Sequence, residues 1–274
     1  MGERTKGGGS VRTAGNGPGG TQSIHRAVSV LRQIATFERR GTRLVDVTRN
    51  LGLERSTAHR ILQCLASEQL ITQKQPGRRY VLGPLAFELG LGAARRYRVA
   101  EICRPSLERI AERTGDVVFL SVRSGLELAC VDRVEGSYPI KAYTLDVGSR
   151  RPLGFGAAGG ALLSLLPEGE IRHVLRRNAA ALRAYGAPAA ADIHARVLRA
   201  KKRGYALNQR RTLGLSAIAI AFPDRDGEPY AAISLCAISS RVTEKRIPEL
   251  VALIRAEVDA VSARLSEEAG PRAR

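Results

Sequence analysis

The chain has 274 residues and a formal net charge of +18 at pH 7, from 44 Lys and Arg against 26 Asp and Glu. This length suffices for two ordinary domains, and the excess of positive charge favours a polyanionic partner, with nucleic acid first. No stretch offers the roughly 18 apolar residues of a membrane span, no signal-peptide core is recognisable, and the four cysteines form no C-x-x-C pair. We therefore expect a cytoplasmic protein with reduced thiols, no membrane association, no metal and no cofactor.

The N-terminal segment, residues 1–21, is rich in glycine and polar side chains and contains almost nothing apolar. Such a segment cannot offset its ordering entropy by burial, so we predict a disordered tail. A basic arm for a nucleic-acid groove is the alternative. A second short tail is predicted over residues 269–274.

The first predicted helix begins after this tail. Apolar residues recur at helical spacing over residues 24–35. Ser23 is placed to cap this helix, and Arg26, Arg32 and Gln33 are expected to face water.

A second, shorter helix is predicted over residues 44–51, and it stops at Gly52, whose freedom at positive φ suits a tight turn. The helix that follows has one apolar stripe and one polar face. The stripe consists of Ala58, Ile61, Leu62 and Leu65, and the polar face of Ser56, His59, Arg60 and Gln63, with Thr57 beside it.

Two short helices, a glycine turn and a helix with a free polar face are typical of a helix-turn-helix that enters the DNA major groove. Hydroxyl groups near the helix start bond phosphates, while Arg and Gln reach base edges. A surface helix of an unrelated bundle is the alternative. The candidate DNA contacts on these helices are Arg26, Arg55, Ser56, Thr57, His59, Arg60 and Gln63.

A β-hairpin with a Pro-Gly turn is predicted over residues 70–82. Its basic residues Lys74, Arg78 and Arg79 suit a wing that contacts phosphates, which places a winged helix-turn-helix domain at residues 22–83.

Residues 84–100 are apolar and small and then basic, as in a linker helix that packs against a partner chain. A monomeric linker is the alternative, and the cluster Arg95, Arg96 and Arg98 fits either a phosphate contact or a solvated face.

Strands and helices alternate in the third segment, residues 101–268. Strands are predicted over residues 117–122, 128–134, 140–143, 217–222 and 230–238, and helices over 101–114, 157–166, 168–178, 192–203 and 244–266. The hairpin through residues 224–227 makes the last two strands antiparallel. The predicted fold class is α+β: a winged helix-turn-helix, a linker helix and an antiparallel-sheet sensor domain.

Taken together, the chain from about Ser23 to Leu265 resembles the IclR family of bacterial transcriptional regulators. The N-terminal match is carried by SIHRAVSVLRQIA, NLGLERSTAHRILQCL and RRYVLGPLAFELG, and the C-terminal match by LERIAERTGDVVFLSV, DRVEG, VGSRRPL, KKRGYALNQ and LGLSAIAIAFPDRDGEPYAAISL. The resemblance implies a GAF-like and profilin-like effector-binding domain and a homodimer or dimer of dimers on a palindromic double-stranded DNA operator. It also implies a small organic or aromatic acid as effector, with repressor and activator roles both open.

The resemblance also implies where the effector binds. The candidate effector-binding residues are Gly156, Ala157, Ala158, Asn208, Ser216, Ser234 and Cys236. Exposed N–H groups at a helix start favour a carboxylate, and Ser234 and Cys236 share one face of a strand. Simple packing of these small residues under helices is the alternative.

Three positions depart from the family pattern. Gly159-Gly160 stands where a Gly-Lys pair is frequent, and Ile220-Ala221 stands where Ala-Pro is frequent. Asn208 replaces a frequent acidic residue, which leaves the chemical class of the effector open.

An enzyme is the first rival interpretation, because residues 154–159 match G-x-G-x-x-G. Residues 150–152 precede this match where a nucleotide-binding strand is required, and no strand ending in an acid follows about twenty residues on. A hydrolase is disfavoured because His25, His59, His173 and His194 all lie outside the segments placed at the pocket. A DNA-binding structural protein without a ligand is the second rival, and the large C-terminal segment argues against it.

Overall fold

A computed structural model of the chain describes residues 21–37, 40–94 and 98–268. The predicted tails fall outside these ranges except for Thr21, as do Arg95 and Arg96 of the basic cluster. The described residues form two compact units, which divide between Ala94 and Arg98. In the described ranges, no helix combines the length and the apolar character needed to cross a membrane.

The N-terminal unit is a three-helix core followed by a hairpin and a further helix. Its elements are α1 (Gln22–Thr36), α2 (Leu44–Leu51), α3 (Arg55–Ser67), β1 (Ile71–Lys74), β2 (Arg79–Leu82) and α4 (Pro84–Ala94). The apolar stripes of the first three helices meet in one core, which includes the fully buried Val30, Ile34, Val47, Ala58 and Leu62. This core is the predicted helix-turn-helix, since Gly52 ends α2 at φ +63°.

Two expectations for α1 are wrong. The helix begins at Gln22 with Thr21 as its N-cap, so Ser23 lies within the first turn and does not cap it. Gln33 is buried and does not face water. The reason is helical geometry, since Gln33 lies three residues after Val30 and beside Ile34 on the face that packs into the core.

The hairpin is tied to the loop before α2. Thr42 and Tyr80 exchange two backbone hydrogen bonds, with N···O distances of 2.9 and 2.7 Å. Arg79 adds a side-chain tie, because its Nη1 donates to the carbonyl oxygens of Arg40 and Gly41 at 3.1 and 3.2 Å. Gly41 permits this approach, since a Cβ there would lie 2.9 Å from the Arg79 Cβ. The hairpin therefore has a fixed position on the helical core.

The C-terminal unit is one antiparallel sheet with helices on both faces. Its elements are α5 (Val99–Thr114), β3 (Val117–Ser124), β4 (Glu127–Glu135), β5 (Arg150–Pro152), α6 (Gly156–Ser164), α7 (Glu168–Ala184), α8 (Ala190–Arg203), β6 (Ala206–Arg210), β7 (Leu215–Pro223), β8 (Pro229–Ile238) and α9 (Ile247–Glu268). The strand order is β5-β4-β3-β8-β7-β6, with every neighbouring pair antiparallel. The predicted α+β class is confirmed.

Residue size alternates along the central strands and separates the two faces of the sheet. Large apolar side chains of β7 and β8 pack with α5 and α9, and these are Ile218, Ile220, Phe222, Ile233 and Leu235. Small side chains of the same strands point to the other face. Ala219 and Ala232 belong to the core formed with α6, α7 and α8, whereas Cys236 packs with Ala142 and Leu145 of the loop before β5. Ala217 and Ser234 also lie on this face. Since small residues leave room above the sheet, this second face provides space for a cavity.

Three strand assignments differ from the sequence prediction. The strand predicted over residues 140–143 is wrong, because this segment is a loop with Ala142 buried and Ile140 and Tyr143 exposed. The short edge strands β5 and β6 were not predicted. The predicted linker at residues 84–100 covers α4 and the start of α5.

Candidate functional site

The polar face of α3 is exposed because its opposite stripe forms the core. Ala58 and Leu62 are fully buried. The residues on the other side are exposed, and we call them the recognition face: Arg55, Ser56, His59, Arg60 and Gln63. Thr57 is half-buried at the edge of this face. The structure therefore brings together the residues that the sequence predicted on this helix.

The arginines of the recognition face are not neutralised by other described residues. Neither Arg55 nor Arg60 forms an ion pair or a hydrogen bond through its side chain with any described residue. A guanidinium has five N–H donors in a planar fork, which suits a base edge or a phosphate oxygen. The face is thus chemically suited to a polyanion.

The predicted wing residues have different surroundings. Lys74 and Arg78 are exposed at the tip of the hairpin, where Gly77 and Arg78 both take positive φ. Arg79 is half-buried and bonded to two backbone carbonyls, so it supports the wing. Arg26 lies half-buried on α1.

A cavity of about 240 Å³ lies on the small-residue face of the C-terminal sheet. It is bounded by the start of α6, the loop around Thr144 and the strands β6 to β8. Six of the seven predicted effector-binding residues line it, namely Gly156, Ala157, Ala158, Asn208, Ser234 and Cys236. We refer to this cavity as the pocket.

Strand register explains which residues reach the pocket. Asn208 pairs with Ala217, and Ala217 pairs with Cys236, so the three lie in one row across the sheet. Ser216 is one residue out of this row and therefore points to the other face. Its Oγ lies 3.0 Å from the Oγ of Ser239. The structure therefore places Ser216 outside the lining of the pocket.

The lining also includes residues that sequence reasoning missed. They are Leu128, Tyr143, Thr144, Leu145, Arg151, Phe155, Arg210, Leu213, Leu215 and Ala217. Tyr143 ends the segment that was predicted as a strand, and Thr144 follows it directly. Both reach the pocket because this segment folds over the sheet as a loop. Arg151 lies on β5 and Arg210 lies on β6, the two edge strands that the sequence did not predict.

The polar atoms of the pocket are neutral hydrogen-bonding groups and cations. Thr144 Oγ1 lies 3.4 Å from Cys236 Sγ. Burial raises the pKa of the Cys236 thiol to about 11, so the thiol stays protonated at neutral pH. Arg151 and Arg210 contribute positive charge, and no Asp or Glu is among the described residues of the lining. This combination favours a small anion.

The glycine motif at residues 154–159 has a different context from a nucleotide-binding loop. A strand does precede it, since β5 covers Arg150–Pro152, so the expectation that none would is wrong. However, β5 is an edge strand paired antiparallel with β4, whereas a dinucleotide fold requires a parallel βαβ unit. The described residues also contain no group of His, Cys, Asp or Glu arranged to hold a metal.

Comparisons with known proteins agree with this architecture. The family model described as IclR helix-turn-helix domain matches residues 23–75, and the model described as Bacterial transcriptional regulator IclR C-terminal matches residues 92–263. The chain is 28% identical over 243 residues to the transcriptional repressor IclR of Escherichia coli strain K12, covering 86% of this chain and 87% of that protein. It is 30% identical over 233 residues to the HTH-type transcriptional regulator BhcR of Paracoccus denitrificans, covering 84% and 82%.

A solved structure shares the fold. An IclR homolog from Microbacterium hydrocarbonoxydans, crystallised in complex with 4-hydroxybenzoate, superposes with a TM-score of 0.70 at 19% identity, covering 89% of this chain and 99% of that chain. The family resemblance noted in the sequence is confirmed by the two family models, which together span most of the chain. The chain belongs to the IclR family of bacterial transcriptional regulators.

Proposed function

We propose that this chain binds a DNA operator through the recognition face and the wing tip, and that a small organic acid in the pocket controls this binding. The observation that carries the proposal is the surface of α3. Its apolar stripe is fixed in the core, while its opposite side presents two arginines that have no counter-charge among the described residues. A helix of this kind, followed by a hairpin, suits the major groove and its flanking phosphates.

Each polar residue has a proposed role that follows from its length and position. Arg60 and Gln63 reach base edges, whereas the hydroxyl groups of Ser56 and Thr57 bond phosphates near the start of α3. Lys74 and Arg78 contact phosphates from the wing tip, and Arg79 holds the wing in place through the carbonyls of the preceding loop. The remaining proposed contacts are Arg26, Arg55 and His59.

The pocket suits a small acid. Its 240 Å³ is below the roughly 300–1,000 Å³ typical of sites for drug-sized ligands, so a short-chain or single-ring acid fits better than a larger one. The backbone N–H groups at the start of α6 and the cations Arg151 and Arg210 would bind the carboxylate. Ser234, Cys236 and Thr144 would bond a second polar group. The family relative crystallised with 4-hydroxybenzoate makes that acid a reasonable first probe.

We propose a homodimer or a dimer of dimers as the DNA-binding species. Helix α4 leaves Phe87, Leu89 and Leu91 between 56% and 68% exposed, which is unusual for large apolar side chains and is favourable for contact with a second copy. A two-fold assembly would place two copies of α3 about 34 Å apart on a palindromic site. The protein would act in the cytoplasm, and the pocket would bind its ligand without catalysis.

Binding to specific DNA tests the first half of the proposal. Fluorescence anisotropy would compare a labelled duplex from upstream of the protein's own gene with a scrambled duplex of the same composition, at several salt concentrations. A specific regulator typically prefers its operator by about 10³-fold or more at physiological salt. Equal affinity for the two duplexes across all upstream fragments, with the same salt dependence, would leave only non-specific charge attraction and would contradict the proposal.

A further inference from the structure

A second cavity of about 590 Å³ lies in the C-terminal unit, beside the pocket and between α8, β6 and the start of α6. We call it the arginine cleft, after the four side chains Arg196, Arg199, Arg203 and Arg210 that line it. We propose that the arginine cleft binds a small polyvalent anion, a molecule with two or more phosphate or carboxylate groups. It is a ligand site separate from the pocket.

The charge of the cleft is concentrated and uncompensated. Arg196, Arg199 and Arg203 follow one another at intervals of three and four residues, which places them on one face of α8. Arg210 approaches from the end of β6. None of the four makes an ion pair with a described residue, and the described lining contains no Asp or Glu. Since like charges on one helix face repel, an anion bound between them would relieve that repulsion.

Three of the guanidinium groups are oriented by neutral neighbours. Arg196 Nη1 lies 3.4 Å from Asn208 Oδ1. The Cζ atom of Arg203 lies 4.9 Å from the centre of the Tyr205 ring, and the Cζ atom of Arg210 lies 5.6 Å from the centre of the Phe155 ring. A guanidinium held against an aromatic ring keeps the N–H donors at its edges available to an anion. The cleft is therefore partly organised before any ligand arrives.

Shape and size argue for a small ligand. A volume of 590 Å³ lies within the roughly 300–1,000 Å³ range of small-molecule sites. A flat or convex basic surface would suit a DNA backbone, whereas this surface is concave and its cations come from two different elements. Four guanidinium groups also supply more positive charge and more N–H donors than a single carboxylate can pair with. This favours a ligand with two or more anionic groups.

The cleft and the pocket share one wall. Phe155, Gly156, Asn208 and Arg210 line both cavities, whereas Arg199 and Arg203 line only the cleft and Ser234 lines only the pocket. Substitutions of these last three residues therefore test the two sites independently.

The test is isothermal titration calorimetry on the full-length chain without DNA, at constant ionic strength. Pyrophosphate and citrate are the probes, and acetate is the monovalent control. The double variant Arg199→Gln/Arg203→Gln removes two cations from the cleft while keeping good helix formers. The matched control, Arg176→Gln/Arg177→Gln, removes two exposed cations of α7 that line neither cavity. A third variant, Ser234→Leu, alters only the pocket.

We expect pyrophosphate, citrate or both to bind once per chain, and acetate not to bind in the cleft. The cleft variant should weaken this binding by about tenfold or more, because charge-assisted contacts are lost. The α7 control and Ser234→Leu should bind as the unmodified chain does. Preference for pyrophosphate or for citrate would identify the anionic group.

Several results would overturn the proposal. Absence of binding by both probes would do so, as would equal weakening in the cleft variant and the α7 control, which would mean diffuse charge attraction. Loss of binding in Ser234→Leu with retention in the cleft variant would place the anion in the pocket instead. If the cleft variant lowered affinity for DNA and left anion binding unchanged, the arginines would be a DNA contact. None of these outcomes depends on the effector proposed for the pocket.

Discussion

Replacing Arg60 with alanine tests whether the recognition face contributes to DNA binding without contributing to the stability of the fold. Arg60 is exposed on α3 and makes no ion pair with a described residue. Alanine is the best helix former, so the free energy of unfolding should change by less than about 0.5 kcal/mol. A bidentate contact between Arg and a base contributes about 1–3 kcal/mol of discrimination. With about 1.4 kcal/mol for each tenfold change, operator affinity should fall about 5- to 140-fold for each bound chain.

Anisotropy titration with operator DNA and thermal unfolding by circular dichroism measure the two quantities separately. Arg177→Ala, which removes one exposed arginine from the other unit, is the matched control and should bind as the unmodified chain does. If Arg60 contacts a phosphate, the affinity for all sequences falls together and the salt dependence flattens by about one charge. Operator affinity within about twofold of the unmodified chain would refute the assigned role, and so would a loss of thermal stability as large as the loss of binding.

Four other substitutions or measurements test the remaining structure. Ser234→Leu should abolish binding of 4-hydroxybenzoate in calorimetry with operator affinity unchanged, because the larger side chain fills the pocket, and retained binding would contradict the assignment. Gly83→Ala should lower the free energy of unfolding by about 1–3 kcal/mol in urea titration, because the added Cβ would overlap the carbonyl oxygen of Gln69. An unchanged midpoint would argue against this contact. Asp116→Ala should cost about 3 kcal/mol in the same assay, because its side chain is only 2% exposed and pairs with two arginines, and a cost below about 1 kcal/mol would mean the pairs contribute little. With Ellman's reagent, native protein should show one fast-reacting thiol, the exposed Cys64. The buried thiols of Cys103, Cys130 and Cys236 should react only on unfolding, because burial raises their pKa values to between about 11 and 12.

Periodicity alone located the helices and the central strands. The apolar stripe of α3 predicts which side of the helix packs into the core. The Ile/Ala alternation of β7 predicts which face of the sheet carries the large side chains. Hence the recognition face could be expected from the residues themselves. The pocket was expected from the family resemblance, because small residues on a strand can also simply pack under helices. The hairpin position was also predictable from its Pro-Gly turn.

The sequence predictions are wrong where tertiary contacts decide whether a segment becomes a strand and which face a side chain takes. Apolar alternation over residues 140–143 resembles a half-buried strand, but no strand of the described residues pairs with it, and it covers the pocket as a loop. Edge strands β5 and β6 are short and carry few large apolar side chains, so their pattern is weak. Ser216 was misplaced because side chains on a strand change face with every residue, and register is set by pairing with β8.

The pocket's cations could not be anticipated for the same reason. Arg151 belongs to an edge strand of three residues, and Arg210 lies at the end of another. Both enter the site only because the antiparallel sheet brings these strand ends to the start of α6. Sequence distance between them hides this proximity.

The most direct test of the central claim is operator affinity measured with and without saturating 4-hydroxybenzoate, for the unmodified chain and for Ser234→Leu. The proposed function predicts that the acid changes the affinity of the unmodified chain, and that Ser234→Leu binds the operator equally well but no longer responds. Should the acid bind in the pocket yet leave operator affinity unchanged, the coupling would be contradicted for this ligand. An equal response from Ser234→Leu would contradict the pocket as its site.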